Sequence, residues 1–309
     1  MPTLTTTNVS HVREDLSNLI SMISPEETPF ISSIGKTKAT AVKHEWLQDE
    51  LAPANGANAS AEGADASDST LVSPVRISNV TQIFTKDVRV SGTLNAVNTA
   101  GGKEELARQI AKKGKELKRD QEAAYVGKSA SVATGTRLLG GAEAFISTNA
   151  LHGAGGSSTG FSGGVVNAPT AGTARPLTEA LFISALQKIW EQGGDPNTVI
   201  APGVLKSKIS TFTGGGTKQQ IADKRIVTQA VATYVSDFGQ VTILPHRFMS
   251  QTTIIAYDPA LWNSAVLRAV EKKELAKTGD SERYMLVTET TLECLNEKSA
   301  AKIADLNGA

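Results

Sequence analysis

Aromatic residues make up only 5% of the 309-residue chain. A core must then be built mainly from Val, Ile, Leu and Ala, which disfavours the large aromatic-lined pocket of a cofactor enzyme. Cysteine occurs once, at Cys294. A single thiol excludes an internal disulfide framework and any multi-cysteine zinc site, and it suits assembly in a reducing cytoplasm. Cys294 itself reads as a small, partly buried strand residue. Net charge is absent too, with 31 basic and 31 acidic side chains, so no overall field recruits a polyanion or an anionic membrane. No apolar run approaches the roughly 20 residues that span a bilayer. Met1 to Ser10 lacks the basic-then-apolar order of a secretory signal. The glycosylation-type tripeptides at Asn8, Asn58 and Asn79 therefore carry no consequence.

Chemical motifs are equally scarce. Gly214, Gly215, Gly216, Thr217 and Lys218 lack the spacing of a phosphate loop and read as a flexible loop. Asp237, Phe238 and Gly239 spell a kinase-like triplet without a catalytic loop, and a turn between strands explains them better. His11, His44, His152 and His246 show no metal-ligand spacing and read as surface or interface residues. No nucleophile elbow is present, and Cys294 has no base beside it in sequence. Glu26 and Glu27 sit between Pro25 and Pro29, where neighbouring side chains of an extended chain point apart and share no site. No catalytic, cofactor-binding or metal-ligating residue is assigned.

What is present is a mixed order of helices and strands. A short helix over Val12 to Met22 carries Leu16, Leu19, Ile20 and Ile23 at helical spacing and stops at Pro25; the rest of the first sixty residues reads as an extended arm. Asn55 to Ser69 has the composition of a flexible loop tip. Leu71 to Ser91 reads as strands, with Val75, Ile77, Val88 and Val90 alternating with polar residues. An isolated two-stranded hairpin is marginal in water, so the first third of the chain does not easily bury its own apolar residues. Long segments of that kind belong to binding sites or assemblies, and the simplest partner is another copy.

Lys103 to Tyr125 is the clearest helix. Leu106, Ile110, Gly114, Leu117, Gln121 and Tyr125 form a narrow stripe, the other faces are densely charged with Glu104 and Arg108 as an opposite pair, and Gly127 ends it. Its basic residues, Lys112, Lys113, Lys115, Lys118 and Arg119, are nearly balanced by acids, so the face reads as solvated and self-paired. Gly135 to Pro176 reads as loop with one or two brief strands around an apolar island at Ala144 to Ile146. A second helix follows Thr178, with Phe182, Leu186, Ile189 and Trp190 on a broad apolar face. Thr198 to Ala201 reads as a buried strand and Val204 to Phe212 as a short helix. Strands follow at Val231 to Val235, Val241 to Leu244, Thr253 to Tyr257 and Arg283 to Leu295, and a short helix over Glu297 to Ile303 closes the chain. The order supports an α+β fold class.

That order resembles the major capsid proteins of tailed phages with the Hong Kong 97 type (HK97-like) fold, and among them the SU-ten-like group. The resemblance covers nearly the whole chain. It is carried by Arg13-Glu14-Asp15-Leu16, Ile23-Ser24-Pro25-Glu26-Glu27-Thr28-Pro29-Phe30, Gly35-Lys36 and His44-Glu45-Trp46, then by Thr81-Gln82-Ile83-Phe84 and Val90-Ser91-Gly92-Thr93. Later come Ser236-Asp237-Phe238-Gly239, Asp258-Pro259, Leu275-Ala276-Lys277-Thr278-Gly279-Asp280-Ser281-Glu282 and Glu289-Thr290-Thr291-Leu292.

The resemblance implies an N-terminal arm over 1–50 and an extended loop over 51–95. It also implies a peripheral domain over 96–175 with spine helix 103–125, an axial domain over 176–270, and a return to the peripheral domain over 271–309. It implies self-assembly through pentamers and hexamers into an icosahedral virion shell around double-stranded DNA, put together in the host cytoplasm. DNA would be touched weakly and non-specifically, and no membrane is involved. Lys86 lies near the loop without an identifiable asparagine partner, so the shell is expected to be non-covalent. A separate scaffolding protein, a portal and decoration proteins are the further partners implied. The alternatives are an encapsulin-like nanocompartment shell, or an enzyme with an unrecognised site in Gly135 to Pro176.

Overall fold

The computed structural model describes residues 27–65, 71–96, 105–212, 233–277 and 279–307. The expected helix over Val12 to Met22 and the loop at Gly214 to Gly216 lie outside them.

Two sheets organise the chain. In the first, Gly35–Lys38 runs parallel to Trp262–Glu274, which pairs antiparallel with Ser281–Cys294, which pairs antiparallel with Gln82–Ser91. Ser281–Cys294 is central, buried from Leu286 to Cys294 and half-buried from Glu282 to Met285. The long helix, Glu105–Val126, crosses this sheet and ends at Gly127 as the sequence predicts. Leu117 and Tyr125 are buried beneath it, and the Tyr125 hydroxyl shares a 2.7 Å hydrogen bond with Ser264. The outward faces pair with themselves and with the sheet: Arg108 with Glu105, Lys113 with Glu116, and Lys86 of the sheet with Asp120 at 2.6 Å.

The second sheet has the order Thr233–Ser236, Gly239–Pro245, Thr198–Ala201, Ile254–Tyr257, Ala301–Ile303, Ala150–Leu151. Its central strands are buried on both faces, and the period-2 alternation of strand side chains decides which core each residue joins. Val199, Ala201, Ile254 and Ala256 pack with Phe182, Leu186 and Ile189 of helix Glu179–Glu191. Ile200, Ile255 and Tyr257 point the other way, into a core shared with Phe30, Leu117, Phe145, Trp262 and Leu292. One sheet thus joins both cores. Helix Glu179–Glu191 is capped at Thr178, whose hydroxyl accepts from the Leu181 amide. The Asp237-Phe238-Gly239 turn links two antiparallel strands, and Gly239 takes a positive φ of 123° there.

Several expectations are corrected. Trp262–Glu274, to which no element was assigned from the sequence, is a thirteen-residue strand, although its alanine, leucine, lysine and glutamate have little strand preference. The closing segment is a single 3-10 turn, Glu297–Ser299, followed by strand Ala301–Ile303. The apolar island near Ala144 is a short helix, Ala142–Phe145, buried throughout. Trp190, expected in the core, is 59% exposed, with the Phe238 ring tilted against it at 5.8 Å between centroids.

Candidate functional site

The arm enters the described structure at Glu27 and is fixed within a few residues. Pro29–Ser33 forms one helical turn with proline at its start, and Thr28 supplies no side-chain cap. The cap comes from the long helix instead. Glu122 accepts from the amides of Phe30 at 2.7 Å and Ile31 at 2.8 Å, completing the orphan donors of that turn. His246, just past strand Gly239–Pro245, meets the same carboxylate through Nε2 at 2.8 Å. Its Nδ1 accepts from the amides of Phe248 and Met249, so the ring hydrogen sits on Nε2. Phe30 fills the space between Tyr257 and Trp262, at 5.1 and 6.0 Å. A single buried carboxylate therefore ties arm, long helix and second sheet together. His246 is no surface residue, since its side chain is fully buried. Glu122 is absent from the apolar stripe that marks the long helix in sequence, although its position three before Tyr125 and four before Val126 places it on their face.

Lys43–Gln48 and Val75–Val80 form an antiparallel hairpin that carries the extended loop. Its base is bolted to the rest of the chain. Trp46 donates its indole N–H to the Cys294 carbonyl at 2.8 Å. Asn79 donates to the carbonyls of Gly140 and Leu292 and accepts from the Gly140 amide. Thr81, Arg137 and Arg268 converge on Glu289 at 2.7 to 2.9 Å. Burial alone would push the Glu289 carboxyl up, but these donors hold it below its ordinary value. Among the described residues the loop beyond this base makes no core: Leu51 is 98% and Leu71 89% exposed, and Leu47, Val72 and Val75 are also open to solvent. The sequence expectation divides here. Phe30, Trp46, Val80, Phe84 and Val88 are buried within the chain, while the loop's apolar residues are not.

A groove of about 370 Å³ opens between the long helix and strand Trp262–Glu274. Ile31, Leu117, Val266 and Val270 are among its apolar lining, and Lys36 and Lys118 line it as well. Gly114 leaves the space open, because a Cβ there would meet nothing within 4 Å.

The segment from 135 to 176 holds a polar clasp that the sequence did not reveal. His152 Nδ1 lies 3.1 Å from Asp305 Oδ2 and Nε2 lies 2.8 Å from the Ser158 hydroxyl. Asp305 sits at a positive φ of 58°. Burial raises its carboxyl, but the amides of Gly172 and Gly153 and the His152 ring outweigh that and hold it below the usual value. The carboxylate is wedged among glycines: a Cβ at Gly156 would come within 2.6 Å of Oδ2 and one at Gly172 within 2.9 Å. Its geometry fastens a glycine-rich segment to the last strand. Nearby, Lys302 is buried with Nζ on the Glu143 carbonyl, and burial pulls its ammonium down to about 8. Burial pushes the Glu143 carboxyl up, offset in part by the Thr253 hydroxyl. Among the described residues, no group of three His, Cys, Asp or Glu side chains is placed to hold a metal ion. No helix there is long and apolar enough to cross a membrane.

A helix laid on an antiparallel sheet, a second sheet on the far side of the shared core, and a bolted hairpin with an open apolar loop define a shell-subunit architecture, the HK97-type capsid fold. The structure aligns with a solved chain of Mycobacterium phage Bobi at TM-score 0.65, 9% identity and 99% coverage of both chains. It aligns with the SrpI encapsulin of Synechococcus elongatus at TM-score 0.59, 9% identity, covering 100% of this chain and 98% of that one. In sequence, it is 30% identical over 317 residues to the major capsid protein of Escherichia phage Phieco32, covering 91% of this chain and 90% of that protein. The model of the SU10 major capsid protein family matches residues 2–307. The chain belongs to that family: it is a phage major capsid protein, a structural component of the virion shell.

Proposed function

We propose that this capsid subunit closes its shell through hexamers and pentamers held without covalent links, using the arm before Phe30 and the loop between Gln48 and Val75 as exchanged elements. The observation that carries the reading is the loop itself: large apolar side chains stand in water on a hairpin whose base is rigidly anchored. Obligate interfaces of roughly 2,000 Å² or more would bury them, and closed rotational symmetry would repeat the contact around each capsomer.

The same reading assigns 1–50 to the arm, 51–95 to the loop, 96–175 and 271–309 to a peripheral domain and 176–270 to an axial domain. It calls for a separate scaffolding protein, a portal and possible decoration proteins, with weak contact to packaged double-stranded DNA and assembly in the host cytoplasm. No catalytic role is assigned, and family membership ranks a phage shell above a cargo nanocompartment. Negative-stain electron microscopy of the chain expressed alone, with sedimentation beside it, tests the proposal. Closed shells, tubes or rings of five and six support self-assembly, though correctly sized shells from the chain alone refute the separate scaffold; a small monodisperse oligomer refutes the shell reading. A ladder of subunit multiples on a denaturing gel of mature particles would refute the non-covalent part.

A further inference from the structure

Three polar side chains meet just past Ala150–Leu151, the edge strand of the second sheet. Asp305 Oδ2 accepts from the Gly153 amide at 3.0 Å and lies 3.1 Å from His152 Nδ1. Nε2 of the same ring lies 2.8 Å from the Ser158 hydroxyl. The ionised carboxylate only accepts, so the ring hydrogen sits on Nδ1 and Nε2 turns its lone pair to the serine. The Asp305 and His152 side chains are 8% and 9% exposed, whereas Ser158 is half-buried between the exposed Ser157 and Thr159.

Fastening the glycine-rich segment needs the Asp305 carboxylate and the amides it accepts. It does not need a hydroxyl on the far ring nitrogen. A carboxylate, an imidazole and a hydroxyl bonded in that order turn a serine into a nucleophile, and such a set is recognised by geometry and roles whatever its order in sequence. The amides of Ser158 and Thr159 donate to no acceptor among the described residues, which leaves N–H groups beside the hydroxyl for a developing oxyanion. We propose that Ser158, His152 and Asp305 form a nucleophilic serine site for small, uncharged carboxylic esters. The surroundings set that substrate class. Gly153 to Gly160 carries no side chain larger than threonine to hold a long acyl chain, and no charged residue stands between His152 and Arg175 to select an ionic one. The site is independent of the shell-subunit reading above.

In the reaction, the Ser158 oxygen bonds to the ester carbonyl carbon as His152 Nε2 takes the hydroxyl proton. The carbonyl oxygen holds the negative charge until the bond to the alcohol oxygen breaks, and the imidazolium returns the proton to that leaving alkoxide. Water then repeats both steps on the acyl-serine, releasing the carboxylic acid and restoring the hydroxyl. Ester and water become acid and alcohol, with nothing oxidised or reduced. Ser158 and His152 are the catalytic residues. Asp305 is a positioning residue that fixes the ring tautomer and faces the imidazolium charge.

The test treats the full chain, both as subunit and as particles, with a fluorophosphonate, which attaches to an activated serine with loss of fluoride. Mass spectrometry then maps the modified residue. Ser158 should be labelled in the folded chain and not in urea. Ser158→Ala should abolish the labelling, and Ser157→Ala should leave it unchanged. His152→Gln should slow it about a hundredfold or more, within the range a general base supplies, and added imidazole should restore part of the rate to His152→Ala. Asp305→Asn should lower the maximal labelling rate about tenfold or more through the wrong tautomer, with the probe concentration for half-maximal rate unchanged. Hydrolysis of para-nitrophenyl acetate should follow the same order.

A folded chain that leaves Ser158 unlabelled, or labels it no faster than its other exposed serines, overturns the site. Labelling that keeps its rate in His152→Gln also overturns it, because the ring then only fastens the loop. Where a His152 variant loses its cooperative melting, the wild-type map and the Asp305→Asn rate decide, and equal rates in those two proteins overturn the proposal. The shell reading stands in every case, since assembly is read separately by electron microscopy.

Discussion

His246 donates its Nε2–H to Glu122 at 2.8 Å, and neither side chain is exposed to solvent. With the amides of Phe30 and Ile31 on the same carboxylate, three donors from two separate segments depend on one residue. Glu122→Ala strands all three in the interior, and a loss of about 3–5 kcal/mol is expected from breaking such a buried set. Glu122→Gln keeps one accepting oxygen but turns an amide N–H₂ toward another donor, so it should fall between wild type and alanine. Urea unfolding of the subunit measures both, and a glutamine variant as stable as wild type would contradict the arrangement.

Lys302 provides a pH signature. Its folded pKa is lowered to about 8 from 10.5, first by burial. Between those two values the unfolded chain binds the proton that the folded chain has released, so this group makes stability rise as pH climbs from 8 toward 10.5. Lys302→Met should remove that part of the slope, which amounts to roughly 3 kcal/mol for a shift of this size. Stability curves of the two proteins that stay parallel across this window would refute the assignment.

Asp305 acts in the opposite range. Its carboxyl is held below its ordinary 3.8 by the Gly172 and Gly153 amides and His152, against the raising effect of burial. Its contribution is therefore complete above the unfolded value and is lost as pH falls through the folded one. Asp305→Asn should abolish that acid loss while tolerating the left-handed backbone, which asparagine adopts more readily than most residues. Asp305→Ala loses both and should be the less stable of the two, as read by thermal melting at pH 7.

Trp46→Phe keeps the ring but deletes the indole N–H on the Cys294 carbonyl. About 1 kcal/mol of local stability should go with it. Amide hydrogen exchange over Lys43–Gln48 and Val75–Val80 should quicken, with the second sheet unaffected. A change spread evenly over the whole chain would argue against a hairpin bolted at that point.

The sequence announced its helices more clearly than its joints. Long helix, capped second helix, buried strand at Thr198 and the strand run at Arg283 were legible because each has a clean period or a sharp stop signal, as Thr178 and Gly127 do. Trp262–Glu274 was not, because its exposed half is rich in lysine and glutamate and only pairing with Ser281–Cys294 makes it a strand. Ala301–Ile303 was missed for the same reason: three residues gain strand geometry from neighbours on either side. The loop's lack of burial was legible from composition. Glu122, His246 and the Asp305 clasp were not, since their partners lie about 90 to 150 residues away and no local pattern encodes a buried charge.

The loop hairpin runs into the first sheet through a single residue, Thr81, and the next strand, Gln82–Ser91, lies antiparallel to Ser281–Cys294 in unbroken register from Gln82 to Ser91. Ladder hydrogen bonds stand perpendicular to their strands. A neighbour that tugs the loop along that line therefore loads every rung of the ladder at once, in shear, instead of peeling them one after another. A wall built of such subunits should fail at its seams before any subunit unravels.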